Sequence, residues 1–327
     1  MYLGVDGGGT KTAFVMLDTD GDIVARHTEP TCSHLEVGLD GMRHILRNGV
    51  QEVSRQSGIA LKDLDFSFFG LPCYGEDSSL TDVLDEAPGV ILESSAYRCG
   101  NDMICGWAAG AGCADGVHIV AGTGSIGYGE RGALSARVGG WSEIFGDEGS
   151  AYWIARAGLE AFTRMSDGRM EKTLLHKLMA ERLELSFDLD VCALVLSRWN
   201  GSRTKIASLS KLVAEAASLA DPVALDIFDR AAGELALIAK SLIDKLQFAE
   251  RDTVVATYSG GVFQAGALII EPLEAALLAG PQRCVLKRPD YQPDIGAALY
   301  AAKLSGKALS GDSLNNLKFS RINNTVQ

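Results

Sequence analysis

Two glycine-rich turns, each set between extended runs, constrain this chain more than any other feature. Residues 1–17 read MYLGVDGGGTKTAFVML, an apolar run, the turn Gly7-Gly8-Gly9-Thr10 and a second extended run. Residues 117–130 read VHIVAGTGSIGYGE and repeat the design around Gly122-Thr123-Gly124-Ser125. Glycines let backbone N–H groups approach an anion with no Cβ in the way. Thr10, Thr12, Thr123 and Ser125 add hydroxyl donors. One such turn alone also admits a reading as a ligand-free tight hairpin; two in one chain point to paired phosphate grips. Neither turn is a Walker P-loop, because no G-x-x-x-x-G-K-[ST] occurs, and neither opens a helix as a dinucleotide fingerprint does. After Gly9 the pattern stays β-like through Thr12, Phe14, Val15 and Leu17, so the anion would lie on a β-hairpin.

The rest of the sequence narrows the class. At 327 residues there is material for two domains. A net charge of −12 argues against nucleic-acid binding, which needs clustered Lys and Arg. No run approaches the ~20 apolar residues of a membrane helix. The N-terminus enters a strand at once, leaving no room for a signal peptide. Seven cysteines stand singly with no C-x-x-C, as in a reducing cytoplasm.

Periodicity predicts helices over residues 39–58, 81–86 (closed by Pro88-Gly89), 103–111, 151–164, 172–183 and 209–220. A long amphipathic helix over 223–248 starts at Pro222 and carries the stripe Leu225, Phe228, Leu235, Ile238, Leu242 and Leu246. Strands are expected over 65–71, 97–101, 117–121 and 253–259. A glycine turn after Ser259 leads to a helix from about Gly266. A further helix covers 296–304, and a polar, poorly packed tail covers 306–327. Residues 110–116 are the expected crossing between a first domain, 1–115, and a second, 116–292.

Several polar residues carry candidate chemistry. Asp102 follows a short strand and precedes a small-residue helix. It reads as a general base for an alcohol acceptor or as a helix N-cap. Asp6 ends the first strand, as a carboxylate orienting a magnesium-bound water or as a turn residue. Lys11 is either a phosphate contact or a solvated lysine. Trp141 and Asp147 flank a glycine-rich loop, an indole and a carboxylate of the kind that holds a sugar. Glu148 and Ser150 read as caps of the next helix. Gly260 and Gly261 are an adenine-ribose site or an ordinary turn.

The motifs D-G-G-G-T-K-T (from Asp6), N-D (Asn101-Asp102), G-T-G-S (from Gly122), G-G-W (from Gly139), G-D-E-G-S-A-Y-W-I-A (from Gly146), S-G-G-V (from Ser259) and D-I-G-A-A (from Asp294) cover nearly the whole chain. Together they resemble the N-acetylglucosamine kinase and BadF/BadG/BcrA/BcrD ATPase family of the sugar kinase/actin/heat-shock ATPase superfamily. The resemblance implies an α/β fold of two ribonuclease-H-like domains, mixed sheets flanked by helices, with an interdomain cleft. The helix near 293–305 would return to the first domain. It implies ATP as co-substrate with Mg²⁺, and transfer of the γ-phosphoryl to the 6-hydroxyl of N-acetylglucosamine. Glucosamine or another hexose derivative is the alternative acceptor. A more distant alternative is the iron–sulfur ATPase activator of a 2-hydroxyacyl-CoA dehydratase, for which Cys99, Cys105 and Cys113 are the only loosely clustered thiols. By the resemblance Asp102 is catalytic. ATP would lie on Gly8, Gly9, Thr10, Lys11, Thr12, Thr123, Gly124, Ser125, Ala214, Gly260 and Gly261. The sugar would lie on Ser33, His34, Asp102, Thr123, Gly140, Trp141 and Asp147. Two departures stand out: Ser33 replaces an asparagine common before His34, and Ile126 replaces a polar residue after G-T-G-S. A cytoplasmic homodimer is expected, with neither nucleic acid nor membrane as partner.

Overall fold

The chain is described by a computed structural model covering residues 1–280 and 282–324. It divides into two units, Met1–Asp115 with the chain from Arg288 onward, and Gly116–Lys287.

The first unit holds strands β1 (Tyr2–Gly7), β2 (Lys11–Leu17), β3 (Ile23–Pro30), β4 (Phe66–Leu71) and β5 (Tyr97–Asn101) in the order β3-β2-β1-β4-β5. β1, β2 and β3 pair antiparallel in sequence, whereas β4 and β5 continue in parallel from β1. Helices α1 (His34–Ser57), α2 (Thr81–Leu92) and α3 (Met103–Ala111) belong to the same unit. Phe14 and Met16 of β2 join Met42, Leu46 and Val50 of α1 in one core, while Val15 and Leu17 point to the opposite face. Strands buried on both faces read as unbroken apolar runs, which is why β2 lacks alternation.

The second unit repeats this plan. Its strands are β6 (Gly116–Ala121), β7 (Ser125–Arg131), β8 (Leu134–Gly139), β9 (Thr253–Ser259) and β10 (Arg283–Lys287), in the order β10-β9-β6-β7-β8. β6, β7 and β8 are antiparallel, and β9 and β10 are parallel to β6. Its helices are α4 (Ala151–Ser166), α5 (Leu174–Arg182), α6 (Asp190–Cys192), α7 (Arg203–Ser208), α8 (Ser210–Ser218), α9 (Pro222–Lys245) and α10 (Ala267–Leu278). Asp221 caps α9 by accepting from Val223 and Ala224 N–H, and Pro222 fills the first turn, where a missing donor costs nothing. α9 crosses β7 where Gly127 and Gly129 leave room: a Cβ at Gly127 would lie 2.4 Å from Ile238. α11 (Pro293–Leu304) and α12 (Gly311–Asn324) complete the first unit. Among the described residues no helix is long and apolar enough to cross a membrane.

Several expectations are corrected. α2 does not stop at Pro88-Gly89 but runs to Leu92. Pro88 removes the N–H that would bond the Leu84 carbonyl, and the Cys99 thiol donates to that carbonyl instead, at 3.7 Å. α1 begins at His34 rather than Leu39, with Gly38 at φ +70° breaking it from the main helix. Leu225 is exposed; Ile227 and Ala231 take its place in the buried stripe of α9. The second unit ends at Lys287, not 292, because Asp290 and Tyr291 N–H groups bond the carbonyls of Gly110 and Ala109 in α3. The tail is not loose throughout. Leu317 of α12 is buried beside Leu299, Tyr291 donates to the Leu314 carbonyl, and Lys318 pairs with Asp290. Residues 325–327 of that expected tail lie outside the described residues.

Candidate active site

In the first unit the strand ends gather carboxylates. Asp6 lies on β1 opposite Gly70 of β4, at the mouth of the first glycine turn. Burial, then the charges of Asp102 and Asp294, push its carboxyl up to about 8, while a bond from the Cys105 thiol and the charge of Lys11 pull the other way. Asp294 opens α11 and is tied to Arg26 of β3 at 2.6 Å. Asp102 occupies the cap position of α3, yet its carboxylate makes no capping bond; the Met103 N–H goes to Asn101 Oδ1 at 3.1 Å. The helix-cap alternative for the Asp102 side chain is therefore overturned, because its neighbour does that work.

The raised Asp6 carboxyl has a testable consequence. Unfolded, it would titrate near 3.8, and folded it titrates near 8. The folded chain keeps a proton that the unfolded chain gives up, so this group lowers stability progressively as pH rises through that window. Asp6→Asn in ligand-free protein should melt with the parent below about pH 4 and increasingly above it as pH climbs towards 8. A melting difference independent of pH would refute the buried carboxyl.

The first glycine turn sorts its expected ligands. Gly9, Thr10 and Lys11 are exposed, and Gly8 closes the turn by donating to the Lys11 carbonyl at 2.8 Å. Thr12 is fully buried: its hydroxyl donates to the Pro30 carbonyl and accepts from Cys32 N–H, each at 2.9 Å. It braces the turn from behind, with its hydroxyl engaged by the backbone of Pro30 and Cys32. Ser33 is buried and accepts the first N–H groups of α1 through its carbonyl, and His34 beside it is half-buried.

The second turn sorts in the same way. Thr123 is exposed, whereas Ser125 is buried and donates its hydroxyl to the Glu148 carbonyl at 2.6 Å. The backbone N–H of Ser125 goes to the Asp147 carboxylate. Ser125 thus braces the turn, with both donors engaged inside the protein. Carbonyls of Gly122 and Thr123 accept the N–H groups of Ala151 and Tyr152, docking the turn on the start of α4. Ser150 caps that helix by accepting the Trp153 N–H.

Beside Thr123 lies a pocket of about 580 Å³. Its walls include Gly122, Thr123, Ala214 and Gly261, three of which are expected nucleotide residues far apart in sequence, with Phe228, Lys211 and Gln264 among the others. Gly260 does not line it. At φ +107° it presses the turn against Ala121, where a Cβ would lie 2.3 Å from the Ala121 carbonyl oxygen. Only glycine fits there.

The loop after β8 carries the expected sugar residues. Gly140, at φ +70°, donates to the Ser125 carbonyl at 2.9 Å and rests over Ile126. Ile126 therefore supports this loop, which accounts for an apolar residue at that position. Trp141 is 70 % exposed, so it is no core aromatic, and Asp147 is 3 % exposed. Burial raises the Asp147 carboxyl, and the nearby Arg203 opposes the shift. Sequence reading missed Arg203, whose partner lies 56 residues away; no local pattern signals such a pair.

A family model for the BadF/BadG/BcrA/BcrD ATPase family matches residues 3–301. The chain is 30% identical to an N-acetyl-D-glucosamine kinase of Dictyostelium discoideum over 311 residues, covering 92% of this chain and 97% of that protein. It is 29% identical over 263 residues to an N-acetylmuramic acid/N-acetylglucosamine kinase of Clostridium acetobutylicum, covering 80% of this chain and 84% of the other. A crystal structure of a presumed N-acetylglucosamine kinase from Chromobacterium violaceum shares the fold, with a TM-score of 0.66 at 22% identity over 92% of this chain and 98% of that one. With paired glycine turns, a duplicated five-strand plan and a family match over residues 3–301, the chain belongs to the BadF/BadG/BcrA/BcrD ATPase family.

Proposed function

We propose that the protein is an ATP-dependent sugar kinase that transfers the γ-phosphoryl of ATP to the 6-hydroxyl of an amino-sugar, with N-acetylglucosamine as acceptor. The observation that carries this reading is the pocket of about 580 Å³ on which Thr123, Ala214 and Gly261 converge. Its size suits a nucleoside, and the relatives at 29–30% identity are named as kinases of N-acetylglucosamine. In this reading the adenosine occupies that pocket, and the phosphates meet Thr123 and the exposed Gly9, Thr10 and Lys11. Trp141 stacks on the sugar, with Gly140, Asp147, Ser33 and His34 around its polar groups. Asp102 accepts the proton of the sugar hydroxyl as the new O–P bond forms and the bond from the γ-phosphorus to the ADP oxygen breaks.

Magnesium fits the residues present. Asp6 and Asp102 are hard oxygen donors that repel each other, and a divalent cation relieves that repulsion. Asp6 would hold the ion through water, and the ion supplies charge neutralisation of the β- and γ-phosphates when bound. The iron–sulfur alternative is disfavoured, because the Cys99 thiol is buried and directed at the Leu84 carbonyl, and the Cys105 thiol is buried between the Val5 carbonyl and the Asp6 carboxyl. A homodimer in the cytoplasm completes the proposal, to be read by sedimentation and fractionation.

A coupled ADP-release screen over amino-sugars and hexoses tests the reading. N-acetylglucosamine should give the highest kcat/KM; preference for glucosamine would change the acceptor but keep the class, and no sugar-dependent release would refute it. Trp141→Ala should raise the sugar KM about 10- to 100-fold, with ADP affinity unchanged within about twofold, because only stacking area is lost. Equal loss of both affinities would remove Trp141 from the sugar site.

A further inference from the structure

Arg203 begins α7, behind the cap residue Ser202. Its guanidinium reaches back to the loop after β8, donating to the Asp147 carboxylate, with Nε 3.2 Å from Glu143 Oε2. Asp147 itself stands at φ +56° and also accepts the Ser125 N–H. One carboxylate thus gathers the G-T-G-S turn, its own loop and α7. The following residues of α7, Thr204, Ala207 and Ser208, are wall of the nucleotide-sized pocket. Gly124 is the seam of this cluster: a Cβ there would lie 2.5 Å from the Arg203 guanidinium and 2.6 Å from Asp147 Oδ2.

On the reading that Asp147 receives the acceptor sugar, we propose that Arg203 is the positioning residue of the acceptor site. It holds Asp147 ionised and aimed, and it ties acceptor binding to the wall of the nucleotide pocket. A carboxylate removed from water loses its preference for the charged form unless a cation or N–H donors restore it. The charged groups facing Asp147 are Arg203 from α7 and Glu143 from its own loop, and Glu143 works against ionisation. Arg203 offers a planar fork that meets both carboxylates at once, which a lysine ammonium cannot do in the same geometry. Because the same residue starts α7, any shift of Asp147 on sugar binding pulls on the pocket wall through one short ion pair.

Arg203→Met and Arg203→Lys in the full chain test this, with N-acetylglucosamine and ATP as probes. Arg203→Met should raise the sugar KM about 10- to 100-fold, discounted towards the lower end because the guanidinium is partly exposed. It should leave ADP affinity within about threefold. The acid limb of kcat/KM for the sugar should move up by about one pH unit, since Asp147 must then ionise without its cation. Arg203→Lys should restore the acid limb while keeping a raised KM. Sugar should tighten a non-hydrolysable ATP analogue at least about fivefold in the parent and less than twofold in Arg203→Met. A purely structural role would not move the acid limb or return it with lysine. A parent kinase whose Arg203→Met variant keeps the sugar KM and acid limb overturns this inference alone. A parent that binds no amino-sugar overturns the proposed function and this inference with it.

Discussion

Asp102→Asn is expected to lower sugar-dependent ADP release by about 10²–10⁴-fold while leaving ATP and sugar affinity within about threefold. The amide keeps the size and hydrogen-bonding reach of the carboxylate but cannot take the hydroxyl proton. The structure adds a control that separates chemistry from folding. The Asp102 side chain does not cap α3, because Asn101 accepts the Met103 N–H, and its charge raises the Asp6 carboxyl. Removing that charge relieves a repulsion, so the variant should melt no lower than the parent at neutral pH. Steady-state kinetics, nucleotide titration and a thermal melt on one preparation decide the matter. Turnover within about threefold of the parent would strip Asp102 of its role, and a lowered melting point would assign it a structural one.

The second large effect concerns stability. Gly4→Ala and Gly296→Ala should each destabilise the protein by about 3 kcal/mol, read from denaturant midpoints at fixed slope. For Gly296 this runs against helix propensity, by which alanine would gain about 1 kcal/mol. The reason is backbone on both sides of α11. A Cβ at Gly4 would sit 2.2 Å from Ala298 N and 2.6 Å from the Asp294 carbonyl oxygen. One at Gly296 would sit 2.2 Å from the Cys105 carbonyl oxygen and 2.5 Å from Ala109 N. Backbone atoms cannot swing aside as side chains do, so β1, α11 and α3 must move apart. The two changes share α11, so their costs should not add in the double variant. A stabilised Gly296→Ala protein would show that this packing is looser than its distances indicate.

Much of the molecule was legible where local chemistry decides it. β5, α3 and β9 begin and end where the apolar runs and glycine punctuation put them. Pro222 marked the start of α9, because a proline is cheap in a first turn. What escaped was set by partners distant in sequence. Helix α2 passes through Pro88 because a thiol from β5 takes the orphaned carbonyl. Edge strand β10, Arg-Cys-Val-Leu-Lys, is too short to show a period and owes its place to β9. In the candidate site, residue type located the glycines and carboxylates but not their division of labour. Thr12 and Ser125 resemble Thr10 and Thr123 on paper. Burial alone makes the first pair braces and leaves the second pair open. Arg203 lay in an unremarkable N-G-S-R stretch, and only the fold brings it to Asp147.

The route of the chain through the first unit also sets an order of assembly during synthesis. Residues 1–115 emerge from the ribosome first, yet the face of β1 and β2 that carries Val15 and Leu17 is closed by Ile295, Ala298 and Leu299 of α11. Until those residues are made, that face has only Ala109 and Cys113 of the emerged chain to pack against. Residues 116–287 carry both their sheet and their helices in one uninterrupted stretch. The central segment can therefore reach its native state while the earlier one waits, inverting the usual amino-to-carboxyl order of domain folding. A nascent chain halted near residue 287 would present a finished second unit and a half-built first one, the form on which chaperones and proteases would act.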